Sequence, residues 1–206
     1  MSTIVVTGTD TDVGKTVFAA ALAGATGASY WKPVQAGLGG GGDAATVAAL
    51  GVDADRILPE TYRLATPCSP HRAAELDGVA IDPDRIIPPR TSGSLIVEGA
   101  GGALVPVTRG LLFADLFARW GHPAVIVART GLGTINHSLM TIEALRVRGV
   151  PIVGIAFNGD PAEDSEETIV TFGRVKRLGR LPRLPTLTAG TLRAAFLEGF
   201  QLEDFA

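Results

Sequence analysis

Residues 4–16 read IVVTGTDTDVGKT: an apolar, mostly β-branched run, a short polar loop, and Gly14-Lys15-Thr16 opening a helix-like stretch, Val17-Phe18-Ala19-Ala20-Ala21-Leu22-Ala23. No other feature limits the possible folds as much. A buried strand feeding a helix through a tight loop begins a βαβ unit. The helix start leaves backbone N–H groups without intrahelical partners, at the positive end of the helix dipole. A lysine and a hydroxyl close the loop where a phosphate-binding cation and a Mg²⁺ ligand are needed, so the loop points to a nucleoside triphosphate. The spacing departs from the usual G-x-x-x-x-G-K-[ST]: position 9, where a glycine is expected, is Thr9, and the leading glycine is Gly8. A glycine turn that merely joins strand to helix is the competing reading, and the flanking strand and helix patterns weigh against it.

The same pattern recurs along the chain. Ile4–Thr7, Ser29–Val34, Leu95–Glu98, Ala124–Ala128 and Ile152–Phe157 read as strands buried on both faces. Helical stretches are expected at Thr16–Leu22, Phe113–Trp120 and Thr134–Arg148. The last of these is stopped by Gly149 and Pro151. Alternating strands and helices imply right-handed crossovers. The fold class is α/β, a phosphate-loop NTPase-like, mostly parallel sheet flanked by helices on both faces, in one domain spanning 1–206. Gly37–Gly42 is a loop whose composition would not hold a fixed shape unaided. Residues 51–93 read as irregular excursions, with a helix starting at Ser69-Pro70. Leu192–Leu202 reads as a short amphipathic helix on the sheet.

With 206 residues, 46% of them hydrophobic, the chain can bury a sizeable core. Its 18 basic and 21 acidic residues leave a net charge of −3 without a basic tract, which argues against a nucleic-acid partner. No run reaches the ~18 apolar residues of a membrane span. The N-terminus lacks the features of a secretory signal, so a cytoplasmic location is expected. The single cysteine, Cys68, excludes an internal disulfide and a Cys-based zinc site. It reads as a packed small side chain with no activating neighbour.

In an open parallel sheet, ligands gather beyond the carboxyl ends of the strands, and polar residues stand at several such ends. Glu98 follows Leu95-Ile96-Val97, where a carboxylate holds Mg²⁺ or caps a loop. Gly99-Ala100-Gly101 after it lets the backbone approach a ligand. Lys32 lies in Ser29-Tyr30-Trp31-Lys32-Pro33-Val34; it meets an anion at the strand end or snorkels to solvent. Asp43 reads most simply as a helix N-cap. Thr134-Ile135-Asn136-His137, after Gly131 and Gly133, opens a helix whose N–H groups bind a carboxylate or are capped by Thr134. Asn158 closes the fifth strand. His71 and His137 belong to no Ser-His-Asp spacing or metal-binding histidine cluster.

Together these residues resemble the dethiobiotin synthetases, ATP-dependent carboxylase-cyclases of biotin synthesis. The likeness rests on Gly8–Thr16 (GTDTDVGKT), Lys32–Gln35 (KPVQ), Cys68–His71 (CSPH), Glu98–Gly102 (EGAGG), Phe113–Asp115 (FAD), Gly133–His137 (GTINH) and Asn158, and runs to about Pro182. The shifted Gly8 is itself a mark of that family. The resemblance implies that 7,8-diaminononanoate and CO₂ (or bicarbonate) form a carbamate, that ATP phosphorylates it, and that the second amine closes the ureido ring. It implies that Asp12, Val13, Gly14, Lys15, Thr16 and Val17 cradle the phosphates. Thr16, Asp43 and Glu98 would hold Mg²⁺, and Lys32 and Lys15 would act catalytically. Asn158, with Leu181 and Pro182, would read the adenine. Thr11, Ala36 and the Gly133, Thr134, Ile135 and Asn136 stretch would meet the substrate, the last four from the neighbouring subunit of a homodimer.

The chain departs from the family at Ala36, where a Ser or Thr hydroxyl commonly contacts substrate; Thr66 or Ser69 could replace it. The tail after Leu184 matches poorly. Two other readings stand beside the synthetase. One is a ParA/MinD-like ATPase, although the additional lysine that those proteins carry early in the loop is missing from Gly8–Asp12. The other is a catalytically lapsed nucleotide-binding module, favoured by Ala36 and opposed by the retained Lys15, Thr16, Lys32, Asp43 and Glu98.

Overall fold

Residues 2–206 are described by a computed structural model. The first half of the chain forms β1 (Thr3–Gly8), α1 (Lys15–Thr26), β2 (Ser29–Trp31), β3 (Val34–Ala36), α2 (Gly42–Ala49), β4 (Ile57–Leu58), β5 (Tyr62–Leu64) and α3 (Pro70–Asp77). The second half forms β6 (Leu95–Gly102), β7 (Pro106–Thr108), β8 (Leu111–Leu112), α4 (Phe113–Trp120), β9 (Ala124–Arg129), α5 (Thr134–Val147), β10 (Ile152–Asn158), α6 (Glu163–Gly173), β11 (Arg177–Leu181) and α7 (Ala189–Gly199). Seven strands make one sheet in the order β11-β10-β9-β1-β6-β2-β4, and every neighbouring pair is parallel.

Successive strand residues point to opposite faces, and both faces are covered. Val5, Leu95, Val97, Ile126 and Ile155 join Phe113, Phe117, Leu145 and Ile169 on one side. Ile4, Val6, Ile96, Val125 and Val127 join Phe18, Leu22, Leu192 and Phe196 on the other. The second layer holds the phosphate-loop helix α1 in place. Phe18 meets the ring of Phe200 edge-on at 5.5 Å, and Phe196 stacks on Phe200 at 4.7 Å. The expected tail helix is thus present as α7 and packs against α1.

The central strands form as expected, but the expected strand Ser29–Val34 breaks in two. β2 ends at Trp31. Pro33, which has no N–H to give a ladder, leads the chain out of the main sheet, and β3 pairs with β5 in a separate two-stranded sheet. Lys32 therefore sits at the point of departure, not within a strand. The edge strands β4 and β11 and the helix α6 carry little apolar periodicity: β11 is RLGRL and α6 opens on Glu163, Asp164 and Glu166. Glu166 is buried and accepts from Arg177 and Arg180, so α6 docks partly through charge. The Gly37–Gly42 loop is held by Gln35. Its Nε2 donates to the Gly37 carbonyl at 2.9 Å and its Oε1 accepts the Asp43 N–H at 3.1 Å. Among the described residues no helix is long and apolar enough to cross a membrane.

Candidate active site

The loop between β1 and α1 is shaped by two glycines. A Cβ at Gly8 would lie 2.9 Å from the Asp10 carbonyl oxygen and from Val13, and 3.0 Å from the Lys15 side chain. The off-register glycine is therefore required by the loop folding back on it. Gly14, the residue before α1, has φ +87°, and a Cβ there would lie 2.4 Å from Asn158 Nδ2. That amide donates to the Val13 and Gly14 carbonyls at 2.9 and 3.0 Å, tying the end of β10 to the loop. Asn158 Oδ1 is buried without a partner.

Lys15 donates to the Asp10 carbonyl at 2.8 Å and is buried. Burial lowers its pKa to about 8, an effect that Lys32 adds to and Glu98 and Asp43 oppose. The next residue, Thr16, donates through Oγ1 to Glu98 Oε1 at 2.8 Å.

Glu98 has no exposed surface. A carboxylate this deep requires donors, and it has three. Thr16 and Lys32 Nζ (2.9 Å) share Oε1, while the Tyr30 hydroxyl donates to Oε2 at 2.8 Å. Lys32 also pairs with Asp43. Burial pushes the Lys32 pKa down, but the carboxylates of Glu98 and Asp43 outweigh it and the net shift is upward. Burial, reinforced by the Glu98 charge, raises Tyr30. Asp43 does not cap a helix: Gly41 precedes α2 and Asp43 lies in its first turn, turned to Lys32.

Two clefts meet at the loop. The first, about 570 Å³, is lined by Thr11, Asp12, Gly14, Lys15, Thr16, Val17, Lys32, Ala36, Asp43, Glu98, Ala100 and Gly101, with Gln35, Pro67, Cys68, Pro70 and Val105. The second, about 500 Å³, shares Asp12, Gly14 and Val17 and adds Val13, Arg129, Asn158, Leu181, Pro182 and Leu187. The expected phosphate, metal and adenine residues are thus brought together along one trough. Gly99 is the exception: it lines neither cleft, and a Cβ there would lie 2.9 Å from the Phe117 ring, so it serves packing. Gly133, Thr134, Ile135 and Asn136 also line neither cleft of their own chain. Gly133, not Thr134, precedes α5, and Thr134 makes no cap; its buried hydroxyl has no partner.

Cys68 is exposed on the cleft wall, contrary to its reading as a packed side chain; it lies just before α3, which begins at Pro70. Thr66 donates to Asp77 at 2.6 Å, which takes it away from the role left open by Ala36. The sequence reading assigned no role to Tyr30 or to Gln35. Tyr30 had a signal: it stands in the same apolar run two residues before Lys32, and a buried phenol hydroxyl needs a polar partner.

Among the described residues no group of three or more His, Cys, Asp or Glu gathers. A divalent ion here would rest on two carboxylates and a hydroxyl. That set suits Mg²⁺, which binds through one or two carboxylates together with substrate phosphate oxygens.

A family model described as "AAA domain" matches residues 2–191. The chain is 66% identical over 207 residues to the ATP-dependent dethiobiotin synthetase BioD of Novosphingobium aromaticivorans, covering all of both chains. It is 64% identical to that of Rhizorhabdus wittichii, covering 98% of each. Among solved structures, it resembles the cell division ATPase MinD of Pyrococcus furiosus with a TM-score of 0.57 at 15% identity, covering 98% of this chain and 90% of that one. It also resembles the MinC:MinD complex of Aquifex aeolicus with a TM-score of 0.58 at 17% identity, covering 95% and 86%. The likeness to MinD extends to the fold alone.

Proposed function

The chain belongs to the ATP-dependent dethiobiotin synthetase family, and we propose that it carries out that synthesis with the residues around Glu98. The overall reaction joins 7,8-diaminononanoate, CO₂ and ATP into dethiobiotin, ADP and phosphate, in the cytoplasm and within one domain. The observation that carries the reading is the Lys32–Glu98–Asp43 cluster beside the phosphate loop, at the floor of a cleft large enough for a polyphosphate and a second substrate.

The chemistry asks for such a site. A carbamate oxygen attacking a polyanion brings negative charges together, and preorganised cations in a water-poor cleft offset that repulsion. Lys15 and the free N–H groups at the start of α1 bind the triphosphate. Lys32, on the same cleft, neutralises carbamate and transferred phosphoryl oxygens as charge shifts between them. Thr16, Asp43 and Glu98 would hold Mg²⁺, which would supply further charge neutralisation. Asn158 Oδ1, unpartnered and buried, suits the exocyclic amine of adenine, beside Leu181 and Pro182. Thr11, Ala36, Ala100 and Gly101 flank the reacting groups.

The Gly133–Asn136 turn serves the site of a second copy of the chain. Its N–H groups take the substrate carboxylate, and its absence from the walls of both clefts of its own chain supports that assignment. The exposed Leu132, Met140 and Leu104 supply apolar surface on this side for a homodimer.

The test is ADP release on mixing the protein with MgATP, bicarbonate and the diamine. Release that depends on the diamine is expected; release that is unchanged when the diamine is left out overturns the reading.

A further inference from the structure

We propose that the Lys32 ammonium and a divalent cation take turns between Glu98 and Asp43: the lysine fills that position in the metal-free protein, and metal binding releases it into the cleft it lines. The inference rests on the reading of Thr16, Asp43 and Glu98 as the metal-binding set.

The geometry leaves one place for a cation. Tyr30 occupies Glu98 Oε2, so the open direction of this fully buried carboxylate is Oε1. Thr16 and Lys32 converge on that oxygen at 2.8 and 2.9 Å, and Lys32 spans from it to Asp43. The oxygens suited to a hard cation therefore already surround one, and it belongs to the protein.

Charge points the same way. Lys15 and Lys32 balance Glu98 and Asp43. A dication added with both lysines in place would set two ammonium groups and the ion against Glu98, Asp43 and Asp12, leaving the site net positive with like charges closely packed. A nucleotide-free protein therefore binds metal only by moving a lysine. Lys15 is held apart by the Asp10 carbonyl. Lys32 is the group in contact with both carboxylates, on a flexible four-carbon stem. Its delivery to the reacting anions is then coupled to metal loading, which keeps a bare ammonium from pairing with phosphate before the metal is seated.

The test uses Mn²⁺ alone, without nucleotide, with free ion read by electron paramagnetic resonance. Lys32→Met is expected to bind Mn²⁺ about tenfold more tightly than the unaltered protein, the scale of one charge-assisted hydrogen bond. Lys15→Met removes the same charge from beside the position, and is expected to gain far less.

In the unaltered protein, acetic anhydride labelling read by mass spectrometry provides the second measurement. The chain has three lysines, Lys15, Lys32 and Lys176, and Lys176 is exposed. Labelling of Lys32 is expected to rise several-fold as Mn²⁺ binds while Lys176 stays constant. Equal gains in the two Met variants, or Mn²⁺ binding that leaves Lys32 labelling unchanged, overturns the exchange while leaving the metal-binding set intact. Failure of both the unaltered protein and Lys32→Met to lower free Mn²⁺ overturns the metal-binding set and the exchange together.

Discussion

On one side of the phosphate loop the cleft wall is charge: Lys32 paired with Glu98 and Asp43, Lys15 held beside them by the Asp10 carbonyl, and Tyr30 and Thr16 fixing the central carboxylate. On the other side it is a single amide, Asn158, against an apolar turn at Leu181 and Pro182, with only exposed arginines near the rim. Both clefts rest on the same three loop residues, Asp12, Gly14 and Val17. A wall of paired charges holds cations where charge develops, so it suits chemistry. A wall of one amide and aliphatic carbon distinguishes a flat ring by shape and one hydrogen bond, so it suits recognition.

The sharpest test of that division is Lys32→Ala. Turnover is expected to fall on the order of 10²-fold or more while nucleotide affinity changes little, as read by steady-state kinetics beside calorimetric binding. Near-normal turnover removes Lys32 from the mechanism. Tyr30→Phe keeps the ring and strips the donor from Glu98 Oε2, and is expected to destabilise the protein by about 1–3 kcal/mol in denaturant unfolding. An unchanged midpoint would mean that the carboxylate does not depend on Tyr30.

Asn158→Ala is expected to act in the opposite sense to Lys32→Ala. Nucleotide affinity should fall about tenfold, as two loop carbonyls lose their donor, with turnover at saturating nucleotide largely kept. If turnover falls as far as in Lys32→Ala, the two clefts are not separable.

Lys15 offers a finer measurement. Its pKa in the free protein lies near 8, below the ordinary 10.5, because burial disfavours the charged form. A bound polyphosphate favours the charged form, so nucleotide binding should take up protons. The uptake should be small at pH 7 and grow as the pH approaches 8, measured by calorimetry in buffers of different ionisation enthalpy. In stability the sign follows from the same depression. Between pH about 8 and 10.5 the unfolded chain holds the proton more often than the folded one, so this group makes folding more favourable as pH rises through that window. Release of protons on binding would place Lys15 away from the phosphates. The smallest effect is expected from Ala36→Ser: a few-fold lower KM for the diamine if a hydroxyl is missing there, and no change if the pocket is satisfied otherwise.

The legibility of the two clefts in the sequence differs for physical reasons. Gly14-Lys15-Thr16 and Glu98 stand at the ends of apolar runs, where periodicity shows the strand and the polar residue marks its end, whereas Lys32 stands inside such a run. Asp43 is invisible to that logic: its nearest pattern is a helix start, and only the path of the chain past Pro33 and Gln35 turns it toward Lys32. The separation of β2 from β3 was hidden because Val34-Gln35-Ala36 continues the run, although Pro33 carried the warning. β11, which supplies Leu181, alternates arginine with leucine around a glycine and looks like surface. Its arginines are paired by Glu166, a partner that no local pattern reveals, while Leu178 and Leu181 join the apolar layer around α1.

The one sulfhydryl of the chain stands exposed on the wall of the charged cleft, between Pro67 and Pro70. The molecule thus carries a single native attachment point for a thiol-directed dye or spin label, a few residues of chain from where ligands arrive. Without any introduced cysteine, a reporter there would sense loading of the cleft from inside its own perimeter.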